Sequence, residues 1–242
     1  MLLMRLKALF LDVDGTITVS RSSYSLSLPA VNALRRVVRK GVVVSLVSSA
    51  ALPIVMGLTR YIGLNGFSIG ETGCLVYSDS TGLVSLTKLS ARGVYLDVLN
   101  LFREYVDDSW QNGFRLHDFE LLLKSKYRSR SSEVVSMLRE YVESRYEGFT
   151  VDYSGFALHV RPVEADKRRA VLYVLERLGV DPSEAGGVGD SYMDASFLSV
   201  LGVSAAVGNA DEELKKSVSV VLSKPSGLGV VEFVEKFIGV QC

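Results

Sequence analysis

The chain has few of the side chains that most often mark thiol, haem or zinc chemistry. Its 242 residues include two cysteines and two histidines. Cys74 and Cys242 lie far apart with no metal-ligand spacing, so a disulfide framework is not expected and a reducing cytoplasm fits. His117 and His159 form no ligand cluster and read as structural or surface residues. Net charge is also lacking, because Lys+Arg and Asp+Glu are both 27. Nothing in that balance suggests the basic surface that nucleic acid would require. A long uncharged run does exist, Gly41–Thr59, but Ser45, Ser48, Ser49, Pro53 and Gly57 interrupt it. It reads as a buried strand, a polar turn and a helix start rather than a membrane span. The apolar N-terminal stretch meets Asp12 too early for a signal peptide. No internal repeat or low-complexity segment is present. With 48% hydrophobic residues, the chain can bury a sizeable core, as one large domain or two smaller ones.

What is there begins with Leu9-Phe-Leu-Asp-Val-Asp-Gly-Thr16. The apolar run Ala8–Leu11 reads as a short strand buried on both faces, as in a parallel sheet. Asp12 and Asp14 follow at its carboxyl end, where open α/β sheets bind ligands. On a regular strand the two acids point the same way. Two acids held close are costly unless a cation or a proton sits between them, and hard oxygen ligands favour Mg²⁺. The polar stretch to Leu28 reads as an exposed flap. Pro29 and the spacing of Ala30, Leu34, Val37 and Val38 predict a helix that stops at Gly41. Val42–Val47 is a second strand, ending in Ser48-Ser49. The strand–helix–strand spacing predicts a right-handed βαβ unit that sets Ser48 near Asp12. A helix over about Pro53–Tyr61 and a weaker strand over Phe67–Gly70 follow.

From Cys74 to about Pro162 the pattern changes. Leu75–Tyr77 and Leu83–Leu86 read as a hairpin. A helix is expected from about Arg92 to Val106, and a strand over Phe119–Leu123. Lys124–Arg130 reads as a basic, solvated loop, and Ser131 or Ser132 can cap a helix running to about Tyr146. Phe149–Tyr153 and Phe156–Val160 pair around Ser154-Gly155. Alternation of strand and helix then resumes. Asp166-Lys167 opens a helix, and Gly186–Gly189 runs into Asp190-Ser-Tyr-Met-Asp194. Val203–Val207 and Val218–Leu222 add strands, and a helix over about Gly229–Phe237 closes the chain. The expected fold is α/β: a doubly wound parallel sheet formed by residues 1–73 and 163–242, interrupted by an inserted α+β unit, 74–162.

Asp-Val-Asp-Gly-Thr at 12–16, Ser48 after the second strand, Lys167 at a helix start and Gly189-Asp-Ser-Tyr-Met-Asp194 occur in that order. This set resembles the haloacid dehalogenase superfamily of phosphatases. The place of the insertion resembles the type-two caps of the Cof-like group. Val207-Gly-Asn-Ala-Asp-Glu-Glu-Leu-Lys215 and the overall length are similar to archaeal phosphoglycolate phosphatases. The resemblance implies a cytoplasmic, Mg²⁺-dependent hydrolase of a small phosphorylated metabolite, with 2-phosphoglycolate the leading substrate. It implies Asp12 as nucleophile, forming an aspartyl-phosphate, and Asp14 as the acid and then the base. Mg²⁺ would be held by the Asp12 side chain, the Asp14 carbonyl and the Asp190 side chain. Ser48, Ser49 and Lys167 would bind phosphate, and Asp194 would orient water or Lys167.

Three positions depart from the family pattern. Ser49-Ala50 stands where Gly then Asn or Arg is usual, Thr72 replaces the Asn of Glu-Asn-Gly, and Met193 replaces an Asn before Asp194. Each loses an amide or similar group expected around the phosphate pocket. The competing readings are a sugar phosphatase of the Cof or mannosyl-phosphoglycerate type, a phosphomutase, and a phosphate-ligand binding protein weakened in catalysis. Edges of the inserted unit could also pair into a homodimer. Hinges are expected near Thr72-Gly73 and Pro162–Ala165, allowing the cap to close over substrate.

Overall fold

The computed structural model describes residues 6–155 and 157–240. Phe156 and Cys242 lie outside the described residues. The strands are β1 (Ala8–Leu11), β2 (Val43–Val47), β3 (Ser68–Gly70), β4 (Leu75–Ser78), β5 (Gly82–Ser85), β6 (Val106–Asp108), β7 (Phe119–Leu123), β8 (Phe149–Tyr153), β9 (Leu158–Pro162), β10 (Ala185–Gly189), β11 (Val203–Ala206) and β12 (Val220–Val221). The helices are α1 (Leu28–Arg39), α2 (Leu52–Ile62), α3 (Arg92–Leu101), α4 (Ser131–Arg145), α5 (Lys167–Leu178), α6 (Ala195–Leu198), α7 (Glu212–Ser217) and α8 (Ser226–Phe233).

An eight-stranded sheet runs β12-β11-β10-β1-β2-β3-β4-β5. Its first six strands are parallel, and β4 and β5 are antiparallel additions. All of β1 is buried, as an unbroken apolar run covered on both faces requires. Beside it lie β10 on one side and β2 on the other. The chain leaves β1 toward β2 and β3, then returns to extend the sheet through β10 to β12. The strand order therefore reverses at β1/β10, where doubly wound sheets open a crevice at their carboxyl edge. Asp12, Ser48 and Asp190 each follow the last residue of β1, β2 and β10.

A second, four-stranded sheet has the order β6-β7-β9-β8 and is antiparallel. Its apolar face packs Phe119, Leu121, Val151, Leu158 and Val160 against Val98 of α3 and Leu138 of α4. The alternation leaves Glu120 and His159, direct partners across β7 and β9, on the opposite face.

Three expectations need correction. The hairpin β4–β5, read with the inserted unit, is hydrogen-bonded to β3 and extends the main sheet. The exposed edge of β3 supplies unpaired backbone groups, and Leu75 and Val76 gain burial there. The helix expected to reach Val106 ends at Leu101, and Val106 instead begins β6, paired with Leu123. Lys124–Arg130 is not an open loop, because Ser125–Arg130 forms a 3-10 turn leading into α4; Arg130, not Ser131 or Ser132, occupies the N-cap.

Candidate active site

The site is assembled at the carboxyl edge. The Asp12 N–H donates to the Val188 carbonyl at 3.0 Å, tying the end of β1 to β10. The Ser48 N–H donates to the Ile69 carbonyl at 2.9 Å, and its Oγ accepts from the Ala50 N–H at 3.0 Å. Lys167 opens α5 behind its N-cap, Asp166, whose Oδ1 accepts from the Arg169 N–H at 2.8 Å. That cap aims the Lys167 side chain inward. Its Nζ donates to Asp12 Oδ1 at 2.8 Å and to Asp194 Oδ1 at 2.6 Å. The other oxygen of Asp194 accepts from the N–H groups of Asp190 and Ser191, at 3.0 and 3.1 Å. Asp194 is thus fully used as a brace between Lys167 and the loop that carries Asp190.

Asp12, Asp190 and Asp194 are buried, with ligand oxygens that all lie within 4.8 Å of one another. Burial pushes the Asp12 carboxyl well above its ordinary value, the charge of Asp194 adds to this, and Lys167 pulls the other way. Asp190 is pushed up to about 7 by burial and then by Asp194, with Arg21 and Lys167 opposing. Burial alone would lower Lys167, but Asp12 and Asp194 outweigh it and hold the ammonium above the ordinary lysine value. Neither oxygen of Asp190 accepts a hydrogen bond among the described residues. Its Oδ2 makes only an ion contact with Arg21 Nε at 2.6 Å, which lacks hydrogen-bond alignment. Gly15, at φ +86°, passes so close that a Cβ there would come within 2.2 Å of that oxygen. A buried, electron-rich oxygen cluster with unsatisfied acceptors fits a hard divalent cation.

The Asp14 side chain does not join this cluster. It lines the adjoining cleft, where burial raises its carboxyl. Ser48, Ser49, Ala50, Lys167 and Met193 line the same cleft from the main sheet. Gln111, Glu120, Ser154, Ala157 and His159 line it from the four-stranded unit, and Tyr24 from the flap. The cleft opens to solvent and narrows to a free space of about 60 Å³ for water-sized centres.

Contacts across the cleft hold this arrangement. The Glu71 carboxylate accepts from the N–H groups of Leu116, His117 and Asp118. Thr72 Oγ1 donates to Asp118 Oδ2 at 2.5 Å, and Asp118 Oδ1 is 3.2 Å from His159 Nδ1. Arg115, fully buried, pairs with Glu120 at 2.6 Å. Despite burial, which raises it, the Asp118 carboxyl lies below its ordinary value because His159 and Arg115 stand beside it.

The model of haloacid dehalogenase-like hydrolases matches residues 117–234. A phosphoglycolate phosphatase of Staphylothermus marinus is 48% identical, over 94% of this chain and 95% of that protein. Another from Sulfolobus acidocaldarius is 35% identical over 96% of this chain and 97% of its own. The chain belongs to the haloacid dehalogenase-like hydrolase family. The fold agrees: the crystal structure of Thermoplasma acidophilum 0175 superposes with a TM-score of 0.83 at 24% identity, covering 97% of this chain and 99% of that one. A haloacid dehalogenase-like hydrolase of Bacillus subtilis gives 0.75 at 19% identity, covering 96% and 99%.

Within this haloacid dehalogenase-like site, Asp12, Lys167, Asp190 and Asp194 come together, and Asp14, Ser48 and Ser49 line the same cleft. Two of the three departing positions, Ala50 and Met193, are on the cleft. Thr72 is not. It takes a left-handed turn, φ 54°, and spends its hydroxyl on Asp118 across the junction. His159, read as a structural or surface residue, is a wall residue of the cleft. Arg21, Gln111 and Glu120 were not singled out by the sequence reading. The period-two alternation of Phe119-Glu-Leu and Leu158-His-Val-Arg161 is the signal for Glu120 and His159, since it puts polar side chains on one sheet face. Nothing local marks Arg21 or Gln111.

Proposed function

We propose that this hydrolase is a Mg²⁺-dependent phosphatase that converts 2-phosphoglycolate to glycolate and phosphate through an aspartyl-phosphate on Asp12. One observation carries the reading. Lys167 holds a single oxygen of Asp12, and the other has no partner among the described residues, on the wall of a cleft. A carboxylate oxygen held in place and open to a cleft is suited to attack phosphorus. The names of the relatives supply the substrate.

Asp12 Oδ2 forms the new bond to phosphorus as the bond to the glycolate oxygen breaks. Asp14, whose carboxyl is raised by burial, holds a proton to give to that leaving oxygen. It then takes a proton from the water that attacks phosphorus, which releases phosphate and frees Asp12. Ser48 and Ser49 donate to phosphoryl oxygens, and the Lys167 ammonium offsets their charge. Mg²⁺, held by the side chains of Asp12 and Asp190 and the Asp14 carbonyl, would neutralise the phosphate so that an anion can approach it. Asp194 keeps Lys167 and the Asp190 loop in place. The core, built on the eight-stranded sheet with β4 and β5 included, carries these groups. The four-stranded unit with α3 and α4 serves as the cap that excludes water, with hinges in the segments 86–91 and 162–165 that join it to the main sheet.

The test is phosphate release from 2-phosphoglycolate and a panel of sugar phosphates, with Mg²⁺ or EDTA, by wild type and Asp12→Asn. The expected result is release that favours 2-phosphoglycolate, stops in EDTA and falls at least about a thousandfold in the variant. Mg²⁺-independent release, or a variant that keeps its rate, would overturn the mechanism. A sugar phosphate turned over faster would overturn the substrate.

A further inference from the structure

Two polar groups on the cap wall present free ends to the cleft, and the proposed chemistry at phosphorus uses neither. Gln111 Oε1 accepts from the Ala51 N–H at 2.9 Å and from Arg115 Nη2 at 3.3 Å. Two donors converging on one amide atom identify it as the oxygen. The NH₂ end of Gln111 has no acceptor among the described residues, although the residue lines the cleft. His159 is 2% exposed and also lines the cleft. Its Nδ1 faces Asp118 Oδ1, a carboxylate that Thr72 and Arg115 also hold. A carboxylate only accepts, so the ring proton sits on Nδ1. Nε2, on the far side of the ring, has no partner among the described residues, and it can donate to an anion when the ring carries both protons.

The acid on the same wall is neutralised. Glu120 Oε2 pairs with Arg115 at 2.6 Å, and Oε1 accepts from Ser109 Oγ at 3.2 Å. The wall therefore offers two unspent nitrogens, the Gln111 NH₂ and His159 Nε2, next to an acid whose oxygens are occupied. Ser48, Ser49 and Lys167, which would take the phosphate, come from the other wall.

We infer that Gln111 and His159 form a second anion-recognition point, which binds the carboxylate of the substrate and makes the enzyme select phosphorylated acids over neutral phosphomonoesters. This rests on the phosphoglycolate reading above. The Gln111 amide and the His159 ring are both held from outside the substrate, by the Ala51 N–H and by Asp118–Thr72. Recognition is therefore complete only when the cap is docked on the core, and the acid tail of the substrate would itself favour closure.

The experiment compares kcat/KM for 2-phosphoglycolate with that for ethyl phosphate, a similar ester with no carboxylate. Wild type, Gln111→Glu and His159→Gln are measured, with thermal unfolding as the check on folding. Gln111→Glu keeps an acceptor for Ala51 and Arg115 and replaces the free NH₂ by an oxygen. Wild type should prefer 2-phosphoglycolate, and that preference should fall about tenfold or more in each variant, the loss of a hydrogen bond to a charged group. A preference kept within about twofold in either folded variant, whatever the absolute rates, would overturn the inference and leave the substrate reading standing. No preference in wild type would overturn both. Should one variant fail to fold, the other decides by the same ratio.

Discussion

Lys167 carries one positive charge into a place where three buried carboxylates already crowd, and it touches two of them. Removing one partner of a buried ion pair leaves the other uncompensated, which costs far more than the pair contributes. Lys167→Met should therefore destabilise the metal-free protein by about 3–5 kcal/mol in urea unfolding. Added Mg²⁺ should recover part of that loss by replacing the missing charge. An unchanged midpoint in EDTA would mean that the acid cluster does not depend on the Lys167 charge. Asp118 has the opposite electrostatic character. Its folded value is depressed, so its charge stabilises the fold above the unfolded carboxyl value, and that stabilisation is lost as pH falls through the depressed value. Asp118→Asn, nearly isosteric, should lose about 2 kcal/mol or more at pH 7. The gap to wild type should narrow below about pH 4. A gap independent of pH would assign the loss to packing rather than charge.

Among elements, the ones that carry the acids are legible in the sequence because their cues are local. Asp12 and Asp190 end short apolar strands, and Asp166-Lys167 starts an amphipathic helix. Each placement follows from a run of residues and its punctuation. The hairpin β4–β5 shows the limit. Its strands and turn are readable, but period-two patterning does not say which sheet edge the hairpin joins, and here the edge is β3. Gln111 and His159 are hidden for a related reason. They meet the acids only through the pairing of β7 with β9 and the docking of one sheet over the other, contacts that no local spacing encodes. Gly73 is a third case, where one residue fixes how two elements meet. It lies between β3 and β4 at φ +94°, and a Cβ there would be 2.2 Å from the Asp166 carbonyl. That is the N-cap of α5, next to Lys167. Gly73→Ala should cost more than the roughly 1 kcal/mol of an unfavourable backbone region alone, because the obstacle is backbone. It should also lower kcat by displacing Lys167. A variant with wild-type stability and rate would show that the approach is looser.

At the scale of the whole molecule, the strained turn Glu71-Thr72 is the joint between core and cap. Both residues are left-handed, at φ 51° and 54°, a region that costs L-residues roughly 1–2 kcal/mol each. The strain is offset across the junction. Glu71 accepts three backbone N–H groups of the 116–118 segment, and Thr72 donates to Asp118. These bonds exist only with the cap docked, so they bias the molecule toward the arrangement in which Gln111 and His159 face Asp12. Burial raises the Glu71 carboxyl, with the His117 N–H and then the Leu116 N–H opposing, so the docked joint holds this group under partial desolvation. Glu71→Gln keeps the shape but weakens three charge-assisted bonds, each worth roughly 1.5–3 kcal/mol when the acceptor is ionised. The docked population should fall. In small-angle scattering the variant should show a larger radius of gyration than wild type. A phosphate mimic such as vanadate with Mg²⁺ should return it toward the wild-type value, since ligand binding favours the closed state. Its KM for 2-phosphoglycolate should rise more than its kcat falls, because ligand binding would first have to close the cap. Equal profiles for the two proteins, with and without the mimic, would mean that packing between the sheets, not this joint, holds the cap in place.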